Sequence, residues 1–273
     1  MMAVGSSVAA ATALVAYPIA GGQALRYGLA GALLVVFARG RLPRLTRRQA
    51  ASLLALAATG LAGFNAFLIA AVREADAGSV GVIVGCVPIA LALAGPLLER
   101  RAVRTRVVAA AVVVSLGAAA VQWAGGLMSL AGLMLALGAL ACEAAFTLIA
   151  VPLIASLGAR SVSAYACLLA VPLLLVSGLA IDGRDLMPLP SLEEAGALAY
   201  MAVVVTALAF VLWYSSVDRL GVERAGLFAG VVPISALLSA TAIGESSLTF
   251  VRLLGAAVVG AGVTVGVRSH DVS

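Results

Sequence analysis

The sequence predicts an all-α integral membrane fold of ten transmembrane helices, arranged as two inverted five-helix repeats. Three observations carry that expectation. Hydrophobic residues make up 63% of the 273 and charged residues 11%, with a mean hydropathy of +1.16, whereas a soluble domain is about 45–50% apolar and about 25% charged. Ten apolar runs of roughly the length a bilayer crossing needs are separated by short polar breaks. One motif recurs in the fourth and ninth runs at an offset of 145 residues.

The runs cover 3–20, 22–38, 50–72, 78–98, 107–124, 130–155, 163–181, 195–217, 225–243 and 251–267. The first, with 18 residues, gives roughly 27 Å of helix, just under the hydrocarbon thickness. No basic segment precedes Arg26, so no cleavable signal peptide is expected. The polar stretches 39–49 and 181–194 are connector-sized and too short to bury a core, which leaves no soluble catalytic domain.

Arginine placement orients the runs, because short basic loops stay on the cytoplasmic side. Arg39, Arg41, Arg44, Arg47 and Arg48 follow the second run, and Arg100, Arg101, Arg104 and Arg106 follow the fourth beside Glu99. The connection after the seventh run holds Asp182, Asp185, Glu193 and Glu194 against Arg184, and the one after the ninth holds Glu245. The first two belong inside and the last two outside, which with ten spans puts both termini in the cytoplasm.

The same residues exclude several functions. The net charge of +5 comes from arginine alone, on no face with aromatic platforms, so nucleic acid is not an expected partner. Cys86, Cys142 and Cys167 each lie inside an apolar run, where no disulfide is expected. His270 is the single histidine, which leaves no zinc cluster, haem ligand set or Ser/His/Asp triad, and no metal or cofactor is expected. With no lysine there is no GxxxxGK[ST] loop, so the chain does not hydrolyse ATP by that route.

Gly81, Gly85, Val87, Pro88 and Ile89 match Gly226, Gly230, Val232, Pro233 and Ile234, each pair 145 residues apart. An acid follows at nearly the same distance in each half, Glu99 or Glu245. A five-span unit has an odd number of crossings, so its duplicate must enter the membrane the other way round, and the basic and acidic loops alternate accordingly. The repeats would cover 1–126 and 127–273. Inverted repeats are characteristic of secondary transporters with a substrate site near the midplane.

These residues resemble the EamA-type permeases of the drug/metabolite transporter superfamily. Pro88 to Glu99-Arg100 and Pro233 to Gly244-Glu245 look like the family's repeated hallmark, and Leu25-Arg26-Tyr27 looks like its aromatic-flanked second-helix arginine. Val4-Gly5-Ser6-Ser7 is similar to its Trp-Gly-Ser-Asn, with Val in place of Trp. A departure is the short apolar stretch ahead of that motif. The resemblance covers essentially the whole chain and implies a ten-helix exporter of small metabolites such as amino acids.

Glu143, in the middle of the sixth run, is the most informative side chain. A carboxylate at that depth costs at least a few kcal/mol, so it should face the bundle interior. It is a candidate proton-coupling or amine-binding acid, or a neutral glutamate hydrogen-bonded to a neighbouring helix. Arg26, near the outer end of its run, could meet a substrate carboxylate, close a gate or snorkel to headgroups, and Arg252 has the same last option. Ser7 belongs to the first motif. Pro88 and Pro233 should kink their helices and form a hinge or cavity wall, with Gly85 and Gly230 permitting close approach. Asn65, Trp213 and Tyr214 could line an amphipathic cavity; the alternatives are an interhelical hydrogen bond for Asn65 and an interfacial belt for the aromatic pair. Arg73, Glu74 and Asp76 read as a solvated ion cluster, and Asp182-Gly-Arg-Asp185 as a solvated loop.

The leading expectation is a secondary transporter working by alternating access, with a small-molecule substrate, lipids around it and protons as the candidate coupling ion. The rivals are an integral-membrane lipid-modifying enzyme, which needs clustered acids or an interfacial histidine, and a non-transporting scaffold, which has no need of Glu143 at mid-depth. Direction, substrate and oligomeric state are not fixed by the sequence.

Overall fold

In the computed structural model, residues 1–122, 128–244 and 246–268 are described, so Glu245 and His270 lie outside the described residues, as do the side chains of Asp182 and Arg184. Among the described residues nine helices are long and apolar enough to cross a membrane, and there are no strands, only an isolated bridge between Ala75 and Met128.

The chain opens with two short helices, α1 (Met2–Gly5) and α2 (Ser7–Thr12). This corrects the expected first span at 3–20. Residues 13–17 form turns ahead of Pro18, which biases the preceding residue away from helix, and the Ser6 hydroxyl turns back to the Ala3 carbonyl at 2.8 Å. Next come α3 (Ile19–Phe37) and α4 (Arg47–Ala57), the latter continuing through a π-helical segment, Ala58–Gly63, into α5 (Phe64–Glu74). The following crossing is broken into α6 (Ala77–Val84) and α7 (Val87–Leu98), and α8 (Thr105–Gln122) succeeds it. Two long helices, α9 (Leu130–Leu157) and α10 (Ala159–Asp182), are separated by Gly158 alone, whose φ of +78° only glycine adopts cheaply. Then α11 (Leu192–Tyr200) runs through a second π segment, Met201–Leu208, into α12 (Ala209–Leu220). The last crossings are α13 (Val222–Leu227), joined by a 3₁₀ turn at Phe228–Gly230 to α14 (Val231–Ala242), and α15 (Phe250–Arg268).

Several local devices recur 145 residues apart. Thr46 and Gln49 form a reciprocal capping box at the start of α4, and Ser191 and Glu194 form one at the start of α11. The π segments end at Gly63 and Leu208, and the broken crossings are interrupted at Gly85 and Gly230. Pro43 and Pro188, also 145 apart, each accept a tyrosine hydroxyl at the carbonyl, from Tyr165 at 2.7 Å and from Tyr17 at 2.8 Å, the tyrosines being 148 apart.

The prolines do not kink continuous helices. Pro88 is the second residue of α7 and Pro233 the third of α14, positions where a missing N–H costs little because first-turn donors lack intrahelical partners anyway. The interruption sits at the glycines just before them, and the Ser115 hydroxyl reaches the Gly85 carbonyl at 3.2 Å.

α3 packs along α10 and α8 along α15, α5 lies on α9, α1 on α14, and α7 on α13. The α8–α15 contact depends on glycine, since a Cβ on Gly117 would stand 2.8 Å from the Gly255 carbonyl oxygen, while Gly260 faces open space. Gly117→Val should therefore lose about 1–3 kcal/mol or more by overpacking, whereas Gly260→Ala should change stability by less than about 1 kcal/mol. Thermal unfolding of the two variants in detergent checks the contrast.

Candidate functional site

Two features of the bundle carry polar chemistry. At the end where α3 begins, a cavity of about 170 Å³ is lined by Tyr17, Gln23, Arg26, Leu198 and Met201, among others. Arg26 is half-buried on α3, one turn in from Gly22. Its Nε donates to Thr206 Oγ1 at 2.6 Å and its Nη1 to Gln23 Oε1 at 3.3 Å, while the guanidinium carbon stands 5.2 Å from the Tyr27 ring centroid. Thr206 is wholly buried in the second π segment and donates in turn to the Met201 carbonyl at 2.9 Å. π segments are frequent at functional sites, where they re-aim side chains out of helical register. No carboxylate pairs with Arg26 among the described residues.

From Arg26 an aromatic wall runs inward. Tyr27 lies 6.4 Å from Phe210 between centroids, Phe210 is 5.3 Å from Phe146, and Phe146 is 5.3 Å from Tyr214. Tyr214 is 0% exposed, and its hydroxyl has no hydrogen-bond partner among the described residues. That burial rules out an interfacial belt for Tyr214: the ring faces α9 and α10 instead of lipid headgroups. Trp213 is half-buried and donates from Nε1 to Thr147 Oγ1 at 3.2 Å.

Glu143 is half-buried on α9, three residues before Phe146 and four before Thr147, so all three share one face of the helix. No hydrogen bond or ion pair holds its carboxyl among the described residues, so the alternative of a bond to a neighbouring helix is not seen. Asn65 donates from Nδ2 to the Leu61 carbonyl at 2.6 Å, within its own span. The structure thus gathers Arg26, Asn65, Trp213 and Tyr214 around Tyr27, Phe146 and Phe210. Ser7 is not part of this group; it opens α2, beside a close approach of Gly5 to Ser235 on α14. Gly85 and Gly230 sit elsewhere, Gly85 against Gln122 and Gly230 against Val114, on the side of the bundle formed by α8.

The opposite end of the bundle carries an ion triad. Arg101 reaches Glu99 at 2.6 Å and Glu223 at 3.0 Å. Glu223, in the first turn of α13, has a side chain only 6% exposed, against 40% for Arg101. The hydrogen bond that Arg101 donates to Glu99, opposed by burial and reinforced by the Glu223 charge, holds the Arg101 guanidinium above its ordinary range. Gln23, Thr206 and Glu223 carry no signal in the sequence reading and Arg101 enters it only as a loop charge, although Thr206 is the one polar side chain between Tyr200 and Trp213, and Gln23 stands one turn before Arg26.

Elsewhere the charges are capped, not clustered. Asp76 accepts from the Ser79 amide at 2.9 Å, so it starts α6 and does not pair with Arg73 as expected. Arg252 donates to Ser246 Oγ at 2.6 Å and to the Ser247 carbonyl at 3.0 Å. No three His, Cys, Asp or Glu side chains come together in a metal-sized group among the described residues.

Comparison with known proteins fits this architecture. The chain is 27% identical over 277 residues to the "Uncharacterized transporter YetK" of Bacillus subtilis (strain 168), covering 98% of this chain and 84% of that protein. A solved crystal structure superposes with a TM-score of 0.79 over 97% of this chain and 94% of its own, at 20% identity, which shows a shared fold. Residues 130–267, just over half of the chain, match the model of the EamA-like transporter family. The protein belongs to the EamA-like transporter family and is a multi-pass membrane transporter.

Proposed function

We propose that the protein is a secondary transporter of the bacterial cytoplasmic membrane that exports small metabolites such as amino acids, driven by protons, through alternating access between inverted repeats 1–126 and 127–273, with the C-terminus cytoplasmic. The recurrence of capping boxes, π segments and broken crossings at an offset of 145 residues carries this reading. Side-chain pattern can coincide by composition in a Gly/Val-rich chain. Coincidence of three separate backbone devices at one offset is much harder to obtain without duplication.

Two further observations support alternating access. The Arg26 cavity lies at one end, while Arg101 ties the loop after α7 to the start of α13 at the other. That loop belongs to the first repeat and α13 to the second, so the ion pair bridges the units that would have to separate when the opposite end opens. Residues Pro88 and Pro233 each open the second half of a broken crossing, where the helix direction can change without rupture of a continuous hydrogen-bond ladder.

Flux in reconstituted liposomes, run over a panel of metabolites with and without a pH gradient, tests the function. Orientation has its own test. Thr46 and Ser191 sit in matched loops but serve as helix caps, so neighbouring positions are better probes. With the native cysteines replaced, Leu189→Cys, 97% exposed in the acidic loop, should react with an impermeant thiol reagent applied to intact cells. Arg44→Cys in the basic loop should react only after permeabilisation. The opposite pattern overturns the orientation.

A further inference from the structure

We propose that the Arg26 cavity is a carboxylate site: it takes a small monocarboxylate with an apolar tail and discriminates against the corresponding amine. The proposal rests on the transporter reading above and names the ligand class of its open end. Arg26 has five N–H donors. Nε is committed to Thr206 and one Nη1 donor to Gln23, which leaves Nη2 and the second Nη1 donor as a two-pronged edge without a protein acceptor among the described residues. That edge matches the two oxygens of a carboxylate, and a guanidinium held by its other side has already lost the rotamer freedom such a contact would cost.

The rest of the lining decides the class. Leu14, Pro18, Ile19, Leu198 and Met201 face the cavity, and among the described residues no acidic side chain does. An ammonium group would meet a cation and, among the described lining residues, no counter-charge. A doubly charged phosphate would meet a single guanidinium, because no second basic side chain among the described residues lines the space. The volume, about 170 Å³, equals roughly six water molecules at about 30 Å³ each, which suits a ligand of the size of a short branched-chain acid. Thr206 acts as a positioning residue: its hydroxyl spends its own proton on the Met201 carbonyl, so it can only accept from Arg26 and thereby fixes the plane of the guanidinium.

The test uses 3-methylbutanoate, 3-methylbutanamide and 3-methylbutylamine as probes on the purified full-length protein in detergent. Thermal unfolding and isothermal titration should show binding of the acid, with the amide and the amine weaker by about tenfold or more, the loss typical of a charge-assisted hydrogen bond. Arg26→Gln should abolish this preference, Arg26→Lys should keep the charge preference with weaker binding, and Thr206→Val should weaken acid binding while Arg26 is still present. The comparison among probes on the unaltered protein needs no variant, so a poorly folding Arg26→Gln does not remove the test. Equal binding of acid and amine, no binding of the acid, or an unchanged preference in Arg26→Gln overturns the proposal. Carboxylate binding without liposome flux would leave the site standing and remove the secondary-transport reading; flux of other solutes, unaltered by Arg26→Gln, would do the reverse.

Discussion

Glu143→Gln is expected to fold, to insert and to lose pH-gradient-driven accumulation by at least about tenfold while retaining substrate exchange down a concentration gradient. The reasoning starts from depth. Glu143 lies near the middle of the 28-residue helix α9, where a charged carboxylate costs several kcal/mol unless water or a partner reaches it. No partner holds it among the described residues, yet it shares a helix face with Phe146 and Thr147, both in contact with α12 side chains. A group in that position is suited to carrying a proton while it is sealed from water and releasing it when water reaches it. Gln keeps the size and the hydrogen-bonding reach of the side chain and removes titration. Liposomes with and without an imposed pH gradient separate the two outcomes: full gradient-driven accumulation by the variant would refute the coupling role. Loss of both exchange and monodisperse protein would assign Glu143 a structural role instead, and Glu143→Asp, which keeps the acid, should preserve a pH response if the role is chemical.

The helical architecture was legible because a membrane span leaves a composition signal that does not depend on tertiary context. Runs such as 107–124 and 251–267 landed within a few residues of α8 and α15. The first span was misjudged for a local reason, since residues 2–20 are apolar enough to cross but Pro18 and the preceding turns divide them. The prolines were legible as markers of the broken crossings but not as to mechanism: from sequence alone a Pro at the second position of a new helix cannot be told from one in the middle of an old one.

The candidate site was legible in part, and the division follows the physics. Arg26, Glu143, Asn65 and the Trp213-Tyr214 pair stand out because polar or aromatic groups are costly or unusual at membrane depth. Thr206 and Gln23 do not stand out, because a threonine can satisfy itself on its own helix and a glutamine near a span end is unremarkable. What recruits Thr206 is the π segment, which shifts residues 201–208 out of α-helical register, and a one-residue register change has no sequence marker in a run of Val and Ala. Arg101 and Glu223 are 122 residues apart and meet only through the packing of α7 on α13.

Breaking that ion pair should open the Arg101 end of the bundle. Glu223 is almost wholly buried, so removing its cation leaves a carboxylate without compensation, and the cost falls on the state in which that end is closed. Because Arg101 is itself 40% exposed, solvent recovers part of the loss, and about 1–3 kcal/mol, a roughly 5- to 150-fold change in the closed-to-open ratio, is expected. Val222, 2% exposed beside Glu223 and packed on Gly95, reports on closure. In a background without native cysteines, Val222→Cys should be nearly inert to thiol reagents, and adding Arg101→Glu should speed its labelling by about tenfold or more. Exchanging the charges, Arg101→Glu with Glu223→Arg, should restore protection, which a general loss of folding would not allow. Labelling that is equally slow in all three backgrounds would show that helix packing closes this end and that the ion pair is incidental to it.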